Sequence, residues 1–345
     1  MMNKIKTALM QKQSPAKTNK MLLMSETEFF DKIIETGHPF RKVSKLIDFN
    51  VLAEPLRGFY SSLGRTGVDV EKGLKCLIVQ FWENLSDREM EYAVKGTMAV
   101  RWFCGFNLTE ETPDHTYFCK LRKRLGTKRI ANIFKALNKT LEGYGMFGNV
   151  FKFIDASAIV TKKALWKERD KAIADGEEKL NNLNVEKYAA DKQARWGAKS
   201  KNNIWFGYKR HASVDMRYGL IEKLAVTPAN VIDYRATKSI CPRQGMVFAD
   251  KLYDCKEADK WIKANNCQTA TIRKRNNKQK NRDLDRWRSG VRMPFEGVFS
   301  KLNKRARYRG KAKVAMQCFL EAICHNLKKA VKILPQNPVP IIIKS

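Results

Sequence analysis

The chain has 345 residues, long enough for two domains, and its 43% apolar content can fill real cores, which excludes a disordered basic tail. Lys and Arg number 67 against 35 Asp and Glu; the resulting charge of +32 favours a polyanionic partner, with nucleic acid the first candidate. No run reaches transmembrane length, no secretory signal opens the chain, and the eight Cys show neither C-x-x-C pairs nor zinc spacing, so a reduced, cytoplasmic, nucleoid-associated protein with no membrane partner is expected.

Residues 1–40 read as a basic arm: the first twenty carry five Lys and no acid. Apolar residues at Val70, Leu74, Leu77, Ile78, Phe81 and Trp82 mark one helical face, and Ser86-Asp-Arg-Glu89 is a capping box that starts a second helix through about Phe103. Thr112-Pro-Asp114 opens a third helix, basic over Phe118–Leu125 and stopped at Gly126. These helices, 41–149, fit either a DNA-binding domain or a bundle with a basic outer face. Gly143-Tyr-Gly-Met-Phe-Gly148 matches a dinucleotide fingerprint in letters only. It follows a helix and precedes a strand, so its glycines read as a helix end and turn.

Strands are expected at 150–154, 204–213, 219–227, 246–249 and 268–273, with a helix at 255–265, which predicts an α/β mixed sheet with flanking helices over 150–334 after an all-helical N-terminal domain. The near-neutral segment 163–191 reads as a helical insertion. A final amphipathic helix runs through Leu320, Ile323, Leu327 and Val331, and prolines leave 335–345 as an extended tail.

Asp155 closes the apolar run Phe151-Lys-Phe-Ile, and Asp250 closes Val247-Phe-Ala. A carboxylate in such a place is costly unless a cation or donor compensates it, so with Glu296 in Arg292-Met-Pro-Phe-Glu296 the acids suggest a metal site. Pro294 suits a first helical position, which would put Glu296 in a first turn; there a dipole partner or a pair with Arg292 is the competing explanation. Asp191, Asp233 and Asp254 read as turn or cap acids. The stretch Thr271–Lys313 holds sixteen Lys and Arg interleaved with Trp287, Phe295, Phe299 and Tyr308, as expected of a basic face anchored on a core.

Further motifs are Leu85-Ser-Asp-Arg-Glu, Arg101-Trp-Phe-Cys-Gly-Phe and Thr112-Pro-Asp-His-Thr, then Phe153-Ile-Asp155-Ala-Ser, Arg195-Trp-Gly, Phe206-Gly-Tyr-Lys-Arg-His211, Val226-Thr-Pro-Ala-Asn and Phe248-Ala-Asp250-Lys-Leu-Tyr253-Asp. By these motifs the chain, from about Phe40 to Ile333, resembles bacterial DDE transposases of the insertion-sequence-five family, and the resemblance rests on their combination. It implies a ribonuclease-H-like fold in which Asp155 ends the first strand, Asp250 ends the fourth, and Glu296 completes the triad from a following helix. It also implies DNA contacts from Arg292 and from a signature Lys whose place Asn303 occupies, with Lys301 and Lys304 flanking it; Ser289 stands at the signature Tyr place. Lys251 and Tyr253 are further expected DNA contacts, and His211 is a supporting residue behind the triad.

Hydrolysis of a phosphodiester by two Mg²⁺ ions, with Mn²⁺ able to substitute, needs no side-chain base, and a released 3′-OH can then attack a second duplex. The expected activity is cleavage at terminal inverted repeats and strand transfer into target DNA, by a homodimer when DNA-bound. The rivals are a nuclease of the same fold that does not join ends and a silent, domesticated DNA-binding regulator. A two-carboxylate glycosidase is disfavoured because positive charge gains nothing on a neutral sugar.

Overall fold

A computed structural model of the chain describes residues 24–59, 67–162, 183–200, 203–335 and 338. Most of the expected N-terminal arm, of the insertion and of the tail therefore lies outside the described residues.

Among the described residues the first elements are the helices α1 (Glu26–Ile33), α2 (Pro39–Leu46), α3 (Phe49–Arg57), α4 (Val70–Trp82), α5 (Asp87–Gly96), α6 (Met98–Cys104) and α7 (His115–Gly143). The arm expected over 1–40 is thus helical from Glu26. Ser25 and Glu28 form a capping box there, and Phe30 and Ile34 are buried. The Ser86–Glu89 box starts α5 as expected, but the helix expected through Phe103 is two helices. Thr97 adopts an extended conformation (φ −107°, ψ 110°) between them. Gly126 (φ 65°, ψ 169°) breaks α7 at the predicted stop, and Gly145 (φ 68°) makes the turn read from the glycine motif.

On α7, Phe118, Leu121 and Leu125 enter the core while Lys120, Lys123 and Arg124 stay exposed. Arg122 leaves the basic face, because its guanidinium donates to both oxygens of Asp87 at 2.8 and 2.6 Å.

The second half builds β1 (Phe151–Val160), α8 (Leu183–Tyr188), β2 (Arg195–Ser200), β3 (Asn203–Asp215), β4 (Leu220–Pro228), α9 (Thr237–Ile240), β5 (Gly245–Ala249), α10 (Lys256–Ala264), β6 (Cys267–Thr271), α11 (Arg282–Ser300) and α12 (Lys311–Ile333). The sheet order is β2-β3-β1-β5-β6, with β4 also paired to β3; β1, β5 and β6 run parallel, and β3 is antiparallel to β1, β2 and β4. Gly207 lets β3 close on β1: a Cβ there would lie 2.0 Å from the Ile159 carbonyl oxygen.

Three differences from the sequence expectation bear on the site. First, β1 does not end at Asp155 but continues to Val160, where its amide donates to the Lys304 carbonyl. Second, β2 was not expected; six residues with three exposed gain their strand state from pairing with β3. Third, α11 begins at Arg282, capped by Asn281, and runs through Pro294. Proline abolishes the bond to the carbonyl four residues back, here that of Gly290, and the helix continues past that single gap. Glu296 is therefore late in a helix and not in its first turn.

Alternation along the strands sorts two cores. Phe153, Phe206, Tyr208, Ala212, Val214 and Phe248 join the helices in one continuous core from Phe40 to Val331. Ile154, Val247, Ala249, Tyr253, Ile240 and Ile262 form the smaller core with α9 and α10. Helix α12 packs against α4, α7 and β4, so the N-terminal helices and the sheet share one interior.

Candidate active site

Strands β1 and β5 pair in parallel with Phe153 opposite Phe248, so Asp155 and Asp250, each two residues further on, come level with one another. Two residues along a strand returns to the same face, so both acids follow their Phe onto the face that α11 crosses. That helix is held by the same rings: Trp287 lies 5.7 Å from Phe248, Phe299 lies 6.0 Å from Phe153, and the Arg292 guanidinium sits 5.3 Å over Phe153.

Burial pushes the Asp155 carboxyl up to about 6, and the charge of Asp250 adds to this; the Ala156 amide, donating at 2.8 Å, and the cations Arg292 and Lys199 pull the other way. Asp250 is also raised by burial, against the Leu252 amide (2.8 Å) and Arg292, with Asp233 adding to the rise. Neither acid makes an ion pair among the described residues. Two level, part-buried carboxylates with no contacting cation are what a hard divalent ion with oxygen ligands requires, and the donor set fits one.

Glu296 stands apart from the pair. Its side chain is 50% exposed and accepts from Arg292 Nη2 at 2.8 Å, one helical turn back. Among the described residues no three His, Cys, Asp or Glu lie close enough together to hold a metal ion. The sheet brings Asp155 and Asp250 together, whereas Glu296 is tied to them through Arg292.

Other expected residues fall differently. Arg292 is mostly buried, faces the acids and is spent on Glu296, so in this arrangement it is an internal counter-ion and not an exposed DNA contact. Tyr253 is 1% exposed inside the smaller core and cannot meet DNA; burial raises its hydroxyl pKa, with Asp155, Asp233 and Asp250 adding to it. Lys251, Lys301 and Lys304 are exposed. Asn303 points inward, its amide donating to Asn84 at 3.0 Å and to Glu321 at 3.1 Å.

His211 is opposite Ala156, so it lies on the face away from Asp155, fully buried, with its Nε2 2.8 Å from the Thr227 hydroxyl. Burial lowers it to about 4. It is neutral at physiological pH, and His211→Gln should leave the pH dependence of DNA cleavage unchanged above about pH 6. A shift of the acidic limb in the variant's profile would show instead that His211 titrates with the reaction.

The turn acids behave largely as expected. Asp191 accepts from the Tyr208 hydroxyl and the Gly310 amide, and Asp254 from Arg273, Asn277 and the Lys274 amide. Asp233 differs: in the 3₁₀ turn Asp233–Ala236 it holds Lys209 at 2.8 Å, yet its charge reaches Asp250 and Tyr253. Asp233, expected as a turn or cap acid, carries in the sequence only the sign that it closes Val231-Ile232, the pattern shared by Asp155 and Asp250, so its reach toward the site was missed.

Residues 148–327 match the family model described as a transposase DDE domain, and residues 28–124 match a transposase domain (DUF772). The chain belongs to the DDE transposases. The transposase for insertion sequence element IS1106 of Neisseria meningitidis serogroup B is 30% identical over 232 residues, which cover 63% of this chain and 79% of that protein. No solved structure matches. The sheet order and flanking helices of this transposase fit a ribonuclease-H-like fold, and the family implies a DNA-cleaving enzyme dependent on a divalent metal. Both acids and Glu296 fall inside the matched DDE segment.

Proposed function

We propose that this transposase belongs to the insertion-sequence-five family, binds the inverted repeats at its element's ends, cuts there and joins the 3′ ends to target DNA, acting as a homodimer on two ends. The observation that carries the reading is the level placement of Asp155 and Asp250 on adjacent parallel strands, both strained by burial and without a contacting cation.

Asp155 and Asp250 would hold Mg²⁺, and Glu296 would join them by exchanging Arg292 for the ion. When bound, a metal pair held by these carboxylates would supply a lower pKa for an attacking water and positive charge against the phosphate and leaving oxygen. Asp155 and Asp250 supply the negative charge, and the packing of Phe153 and Phe248 beneath α11 fixes their spacing. Arg292, released from Glu296, is then placed to meet a phosphate. Lys251, Lys301, Lys304 and the basic face of α7 would hold the duplex.

The test offers the purified protein duplex DNA containing the gene's flanking repeats, and separately pre-cleaved ends with target DNA, in Mg²⁺. Cleavage at the repeats and joined products are expected, with both lost in Glu296→Gln while repeat binding persists. Cleavage without joining would assign a nuclease, binding without cleavage a regulator, and full activity of Glu296→Gln would remove that residue from the triad.

A further inference from the structure

A cleft of about 410 Å³ opens between the end of α4 and the α11–α12 segment, lined by Trp82, Lys301, Asn303, Lys328, Lys329 and Lys332 among others. Four lysines share it with one lining carboxylate, Glu321, which is turned inward onto Arg210 at 2.5 Å. Among the described residues no ion pair engages any of the four lysines. Lys328 leans on the wall, its ammonium donating to the Trp82 carbonyl at 2.5 Å and lying 5.2 Å over the indole. Lys329 is lowered by burial and further by Lys301 and Lys332, so these three ammonium groups crowd one another. Folding alone gains nothing from this crowding, whereas an anion in the cleft would turn it into attraction.

Asn303 supplies a second line of argument. The position that the transposase signature gives to a DNA-binding Lys is here an asparagine bonded to Asn84 and Glu321, with its carbonyl taking Arg210. It is an internal tie and offers nothing to DNA. Lys301, by contrast, caps the C-terminal end of α11 five residues after Glu296, about 7.5 Å along the axis.

Building on the transposition reading, we propose that the Lys301–Lys329–Lys332 cluster is a binding site for the DNA phosphate backbone and replaces the missing signature lysine. A strand seated there passes the end of the helix that carries Glu296. The competing account is that Lys301 and Lys332 serve the C-terminal ends of α11 and α12, where cations are favoured.

Binding of a short generic duplex to the full-length protein, measured across a salt series, separates these accounts. Each phosphate contact contributes about 0.9 to the slope of log affinity against log salt. K301Q/K329Q/K332Q should lower the slope by two to three and weaken binding roughly 10- to 100-fold near 0.1 M salt. K301R/K329R/K332R should restore both, and K256Q/K260Q/K263Q, an equal loss of exposed charge on α10, should change neither. Unchanged slope and affinity in the first variant would overturn the inference while leaving the transposition reading intact, and with a lowered melting temperature would assign the lysines to the helix ends. Failure of the wild-type protein to bind DNA at all would remove both.

Discussion

Asp155→Asn should make the metal-free protein more stable at pH 8 while reducing DNA cleavage by roughly 10³-fold or more, the scale of losing a group that acts on developing charge. The stability gain follows from the raised carboxyl. Below about pH 4 the acid is protonated in both the folded and unfolded states and costs nothing. Between that pH and about 6 the unfolded chain releases the proton while the folded one keeps it, so the native state loses stability as pH rises. Above about 6 the loss is complete, up to about 3 kcal/mol. Asparagine removes it. Thermal melts of both proteins should coincide near pH 4 and separate by pH 8 in favour of the variant. Mg²⁺ should raise the melting temperature of the wild-type protein alone. A variant less stable than wild type at pH 8 would mean that Asp155 is a compensated structural acid.

Lys152→Met should destabilise the fold by about 3–5 kcal/mol, the cost of stranding a buried charge. Lys152 is fully buried one face over from Phe153, with its ammonium 2.7 Å from Asp215, 2.8 Å from Glu222 and 2.9 Å from the Asn149 side chain. Asp215 also accepts from the amides of Gly148, Asn149 and Arg217, so it fixes the entry to β1 to the end of β3. Urea denaturation should show Lys152→Met/Asp215→Asn losing less than the sum of the two single variants, because neither charge is then stranded. Strict additivity would show that the two groups do not act as a pair. Activity should fall only as far as folding does, since Lys152 lies on the face away from the acids.

The acids themselves were legible because a charged residue closing an apolar run is anomalous wherever it falls, and Phe153-Ile-Asp155 and Phe248-Ala-Asp250 both show that anomaly. Their convergence depended on strand order, which only the family resemblance implied; in the sheet β1 and β5 are neighbours. The extension of β1 beyond Asp155 was not legible: Ala156–Val160 has no distinctive pattern and becomes strand because β3 and the Lys304–Ala306 segment pair with it. Pro294 misled for a related reason. Proline raises the cost of a helix interior, but the packing of Trp287, Arg292 and Phe299 over the two Phe rings outweighs one missing hydrogen bond.

The family reading came from the resemblance of whole motifs, while composition and local pattern determined a basic, well-cored chain, helices then a mixed sheet, and two acids that each close an apolar run. These depend on interactions within a few residues, or on charge summed over the whole chain, and both are written in the order of residues. Tertiary structure alone decided that Tyr253 turns inward, that Arg292 is held between the acids and Glu296, that Asn303 is an internal tie, and that lysines from α11 and α12 meet in one cleft. Each of these is a choice of partner between segments distant in the chain, set by which contacts the packed core leaves within reach.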